Sequence, residues 1–143
     1  MNIDLNQNIP YCPNFRWREF LLLRKWDVYA VPETEEIYYN IIKVATVLQR
    51  IRDLVQVPVR VTSAYRPTIY NELIGGAPRS QHRIGAAVDF KISGFNGVSG
   101  CNRVREILRP YMDQWEFRIE NIQGGWVHID LKYAKDGANF FNP

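Results

Sequence analysis

Cysteine and histidine are scarce, with two of each in 143 residues. Cys12 and Cys101 lie far apart and form neither a CxxC pair nor a ladder of spacings, so two buried or half-buried thiols are expected ahead of a disulfide. No run of about 20 apolar residues occurs, which excludes a helical membrane span. Charge of one sign is also lacking: 18 basic against 15 acidic residues leave a scattered net +3, too little to suggest a nucleic-acid partner. Residues 1–6 (Met-Asn-Ile-Asp-Leu-Asn) carry neither the basic start nor the apolar stretch of a signal peptide. A product made in the cytoplasm is expected, and action outside a membrane would need a separate exit route. There is no internal repeat, low-complexity tract or linker.

The composition that remains is that of a globular chain, 46% hydrophobic and 13% aromatic. A chain of this length buries about two-thirds of its unfolded surface and needs no covalent staples. One domain is expected over residues 1–143, with residues 1–14 an irregular lead-in and the protein a monomer. Residues 15–22 read as a short helix ending before Val31-Pro32. Ile37, Ile41, Val44, Ala45, Leu48, Ile51, Leu54 and Val55 recur at helical spacing over residues 35–55, with Thr34 as N-cap and Lys43, Gln49, Arg50 and Arg52 on the polar face. Residues 58–63 and 86–92 read as strands, 68–74 as a helix, 94–100 as a glycine loop and 102–111 as a helix. Two late strands follow at 115–120 and 126–133. Helices early and strands late predict an α+β fold.

With only two histidines, the surroundings of each are informative. Period-two alternation puts Val127, Ile129 and Leu131 on one strand face and Trp126, His128 and Asp130 on the other. In the earlier strand, Val88, Phe90 and Ile92 form the apolar row and Asp89 projects opposite. His82 precedes that strand by a few residues, and the small Gly85-Ala86-Ala87 leave room for His82 and Asp89 to converge. Two imidazoles and a carboxylate are suitable donors for catalytic zinc, leaving a fourth position for water. The spacing by itself leaves a metal site and satisfied core histidines both open.

Ser63-Ala64-Tyr65-Arg66, Asn71, Gly75-Gly76-Ala77, Ser80-Gln81-His82, Gly85-Ala86-Ala87-Val88-Asp89 and Trp126-Val127-His128 occur in order. Together they resemble the M15 peptidases, the zinc D-Ala-D-Ala carboxypeptidase family that includes bacteriophage endolysins. The resemblance implies the fold shared with Hedgehog domains, a small, mainly antiparallel sheet with helices packed on one side. It implies Zn2+ held by His82, Asp89 and His128, with Arg66 binding substrate beside the scissile carbonyl. Ser80 would contact substrate or steady the histidine loop, and Trp126 would join the substrate-binding set. Tyr65 and Asn71 read as scaffold, and Gly75-Gly76 as a tight turn.

Where many relatives carry the acidic general base, three residues before the second histidine, this chain has Gly125. Glu120 is the first substitute and Asp130 the second, with an alternative role for Asp130 in orienting His128; Glu116 is third. The loop at 93–100 is expected to edge the site. The implied partner is the peptidoglycan stem peptide, cut at an amide next to a D-amino acid by a phage or prophage lysis enzyme released through a holin. The alternative, raised by Gly125, is a zinc-containing binding or virion-associated module.

Overall fold

The computed structural model describes residues 2–143. The lead-in is irregular, yet Ile9 and Cys12 are buried in it. Residues 15–22 do not form one helix. A single turn, α1 (Trp17–Leu21), runs directly into a hairpin of β1 (Leu22–Leu23) and β2 (Val28–Tyr29). The apolar run is buried as a bend, with Trp17, Phe20, Leu21 and Leu23 all in the core.

Helix α2 (Glu35–Val55) has the expected limits. Thr34 Oγ1 accepts the Ile37 N–H at 3.2 Å, and Glu35 and Glu36 occupy the positive end of the helix dipole. Ile37, Ile41, Val44, Ala45, Leu48 and Ile51 are buried at the expected spacing. Two positions depart from the pattern. Leu54 is 37% exposed, while Gln49 is 5% exposed and not on the polar face. The Gln49 amide donates to Asn14 Oδ1 at 2.7 Å and to Asp53 Oδ1 at 2.9 Å and accepts the Asn14 N–H, so its burial leaves no group unpaired. The lead-in is thereby pinned to α2.

After α2 come β3 (Val59–Ser63), α3 (Thr68–Leu73), a 3₁₀ turn (Gln81–Ile84) and β4 (Ala87–Ile92). Helix α4 (Gly97–Leu108) begins inside the expected glycine loop. A Cβ at Gly100 would run into the Phe95 backbone, so that glycine serves close packing at a helix start and not loop freedom. The short α5 (Met112–Trp115) ends at Glu116, whose φ of 54° breaks the chain direction. The next strand is therefore only β5 (Arg118–Glu120), shorter than the expected 115–120, and β6 (Val127–Asp130) is likewise shorter than 126–133. A last strand, β7 (Phe140–Phe141), was not expected.

These strands form one sheet in the order β3-β4-β6-β5-β7, antiparallel except for the β5–β7 pair. Val61, Val88, Phe90, Ile119, Val127 and Ile129 point to the helix side, where α2 packs on β4 and α4 on β4 and β6. The fold is α+β, with helices on one side of a small, mainly antiparallel sheet. Cys12 and Cys101 are buried free thiols. No helix among the described residues is long and apolar enough to cross a membrane.

Leu48 is fully buried at the centre of this face. Leu48→Ala is expected to cost about 2–5 kcal/mol in urea unfolding, against about 1 kcal/mol for Thr34→Ala, which removes only the cap. Equal losses would contradict the assignment of the core to this face.

Candidate metal centre

The side of the sheet away from the helices carries the chemistry. On β4, β6 and β5 the residues between the apolar ones are Asp89, then His128 and Asp130, then Arg118 and Glu120. The register sets Asp89 opposite His128, and Asp130 opposite Arg118.

His82 arrives from the 3₁₀ turn. Ser80 Oγ accepts the His82 N–H at 3.2 Å and so caps that turn. Gly85 ends it with φ 72°, and a Cβ there would lie 3.0 Å from the Ile37 carbonyl and 2.9 Å from Ile41 Cγ1. Only glycine lets the turn sit this close to α2. The 63–66 motif supplies the other side. The Arg66 N–H donates to the His82 carbonyl at 2.9 Å, and His82 Nδ1–H donates to the Ala64 carbonyl at 2.6 Å. Asn71 holds the 75–77 turn through a 2.9 Å bond to the Ala77 carbonyl, which makes it scaffold as expected.

With Nδ1 bonded to Ala64, His82 turns its Nε2 toward Asp89, 3.3 Å from Oδ2. Nε2 is buried and makes no hydrogen bond. Asp89 Oδ1 accepts His128 Nδ1–H at 2.8 Å, and Asp130 Oδ2 accepts His128 Nε2–H at 3.1 Å. One donor atom from each of His82, Asp89 and His128 lies within 4.8 Å of the others. An orphaned buried imidazole nitrogen beside a carboxylate and a second imidazole, with the remaining ring nitrogens tied to a carbonyl and a carboxylate, fits a zinc centre and its supporting shell.

The charges are strongly coupled. Burial raises the pKa of Asp89, but the two imidazoles outweigh it and hold the carboxyl well below the usual range. Burial lowers that of His128, but bonds to Asp130 and Asp89 push it up to about 9. Asp130 is held at about 2, its desolvation overcome by bonds from His128 and Arg118.

Asp130 has no free oxygen. Arg118 grips it with two 2.8 Å bonds, and the Lys132 N–H adds a third at 3.0 Å. That arrangement orients His128. Glu120 Oε2 is 3.7 Å from His128 Nδ1 and lines the same cleft, of about 250 Å³, along with Ser80 and Phe141. Arg66 stands close enough for the charges of Asp89 and Glu120 to favour its protonated form against burial, which pushes its pKa down. Several expected neighbours do not line this cleft, Arg66 among them. Trp126 is 43% exposed and does not line the cleft, and neither does any residue of 93–100. Glu116 lies away from it, beside a larger groove of about 770 Å³ between α2 and Tyr133 that contains none of the cluster.

Two participants escaped the sequence reading. Arg118 is the bidentate partner of Asp130, and its guanidinium lies 3.7 Å from the centre of the Phe141 ring. Strand alternation does place Arg118 on the face of Glu120, and that was the one available signal.

A family model described as Peptidase M15 matches residues 13–130, a span that contains every member of this cluster. The chain belongs to the M15 peptidase family. No curated protein matches it. Peptidases of this family are generally zinc dependent, in keeping with the donor set.

Zinc held by His82, Asp89 and His128 would compete with the proton that His128 carries between Asp89 and Asp130. Apparent zinc affinity of the M15 domain is therefore expected to rise by about tenfold per pH unit below about pH 9 and to level off above it. Chelator competition across pH 6–10 measures this, and a flat profile would contradict the proton's position. Without zinc, the raised pKa of His128 stabilises the fold fully below about pH 6.5, and that contribution is lost as pH rises through about 9.

Proposed function

We propose that this M15 peptidase hydrolyses an amide next to a D-amino acid in peptidoglycan stem peptides. The observation that carries this reading is the convergence of His82, Asp89 and His128 with a further carboxylate, Glu120, at 3.7 Å from His128. Zinc held by the first three would polarise the scissile carbonyl and acidify water. Glu120 takes the proton from the attacking water and returns it to the leaving amine. Asp130, gripped by Arg118, keeps the His128 ring oriented throughout. Arg66 brings a positive charge to the same side and steadies the carbonyl oxygen as it becomes negative. Ser80, engaged in capping the His82 turn, still lines the cleft and can meet the peptide.

The resemblance to endolysins supports a role in phage or prophage lysis, with a holin giving access to the wall. Gly125 supports the second reading, a zinc-containing binding or virion-associated module, since it stands in open space where relatives carry an acid. Glu120 in the cleft favours the enzyme.

Zinc-loaded protein is expected to release new amines from purified peptidoglycan, and mass analysis of the fragments names the bond. His82→Ala should lose both zinc and activity. Glu120→Gln should keep zinc and lower kcat by about 10²–10⁴-fold. Full activity in Glu120→Gln would remove Glu120 as the base, and zinc binding without cleavage of any wall would favour the binding module.

A further inference from the structure

The groove of about 770 Å³ beside α2 exceeds the cleft of about 250 Å³ at the metal-site cluster, and the chemistry proposed above leaves it unused. Its volume is within the about 300–1,000 Å³ of sites for organic ligands. The groove belongs to the helix side of the sheet. Lys43, Val47 and Arg50 of α2 form one wall, and Leu131, next in the apolar row after Val127 and Ile129, adds to the floor.

Three aromatic rings line this groove, and each is held in place. Trp115 is stacked on Tyr111, with ring centroids 4.5 Å apart and planes at 23°. The Tyr133 hydroxyl donates to Asp113 Oδ1 at 3.1 Å. Tyr11 is set by its backbone instead. The Cys12 N–H closes a turn onto the Ile9 carbonyl at 2.9 Å, and the buried side chains of Ile9 and Cys12 anchor that turn at either end. Within it Tyr11 takes φ 67°, a left-handed conformation that is unfavourable for any residue with a Cβ. Its ring is 85% exposed, so no packing compensates the strain. Strain of this kind, with no return in stability, points to a position kept for function.

Polar groups stand between the rings. Asn40 gives its amide nitrogen to the Ile84 carbonyl at 2.9 Å, which leaves Oδ1 as an acceptor. Glu116 is a second acceptor, and Lys43 and Arg50 are donors. With two cations and one carboxylate in its lining, the groove has no strong field for a polyanion. Pairing with a peptide strand is closed off as well, because β6 is flanked by β4 on one side and β5 on the other. Fixed rings with donors and acceptors between them suit a chain of pyranose sugars, whose flat C–H faces stack on aromatic faces while their edges form hydrogen bonds.

We propose that this groove binds a chain of N-acetylhexosamines, the saccharide class of the peptidoglycan glycan strand. An acetamido group has a carbonyl for Lys43 or Arg50, an N–H for Asn40 or Glu116, and a methyl for the apolar floor. The choice of this sugar rests on the reading of the protein as a wall enzyme. A glycan held on the helix side leaves the metal-site cleft open to the peptide.

Zinc-loaded protein is titrated calorimetrically with tetra-N-acetylchitotetraose and with cellotetraose, which has the same linkage and no acetamido groups. The first is expected to bind about tenfold more tightly, with little change on added salt because it is uncharged. Tyr11→Gly should weaken its binding about tenfold without lowering the thermal midpoint, since glycine accepts φ 67° freely. Arg50→Gln should weaken it as well. No binding of either saccharide, equal affinity for both, a steep salt dependence, or unchanged affinity in either variant would each overturn the proposal. Saccharide binding by a protein that cuts no wall would sink the peptidase reading and leave the groove assigned, and wall cleavage without saccharide binding would do the reverse.

Discussion

Asp89 meets two imidazoles at once, His128 at 2.8 Å and His82 at 3.3 Å. A carboxylate this enclosed is tolerated only if it is paired, because desolvation costs an isolated buried ion several kcal/mol. Removing either histidine strands it, and removing Asp89 leaves His82 Nε2 and His128 Nδ1 facing each other across a polar gap. The surrounding architecture serves this meeting: β4 and β6 pair in the one register that sets Asp89 beside His128, and the turn carrying His82 is held by Ala64, Arg66 and Ser80.

The site depends equally on the strands having two unlike faces. In β4, β5 and β6 each apolar residue that anchors the helix side alternates with a residue of the cluster, so the packing of α2 and α4 holds the polar row in place. A one-residue slip in any of the three would bury Asp89, Glu120 or His128 in hydrocarbon. The fold is stabilised from one side and reactive on the other.

A second line of support runs outward from His128. Asp130 orients the ring, Arg118 neutralises and orients Asp130, and Phe141 of β7 lies against the Arg118 guanidinium. Arg105, buried behind the 121–126 loop, donates to the Gly124 and Trp126 carbonyls at 3.2 and 2.8 Å and holds the link between the strands of Glu120 and His128. Both arginines make geometry that lysine would not reproduce, because each uses two or more nitrogens in a fixed plane.

Local physics made α2, its cap and the alternation of β4 and β6 legible in the amino-acid sequence, since helical spacing and strand alternation are short-range patterns, whereas the donor set was singled out only through the family resemblance. The motif order was enough to indicate the family and its α+β fold. Tertiary structure alone decided what the remaining groups face. It buried Gln49 through partners at residues 14 and 53, started α4 at Gly97, cut β5 back to Arg118 and left Trp126 outside the cleft. It also paired Arg118 with Asp130 across two strands and brought Glu120 to 3.7 Å from His128. Such contacts join residues far apart in the chain, so no window of sequence contains both partners.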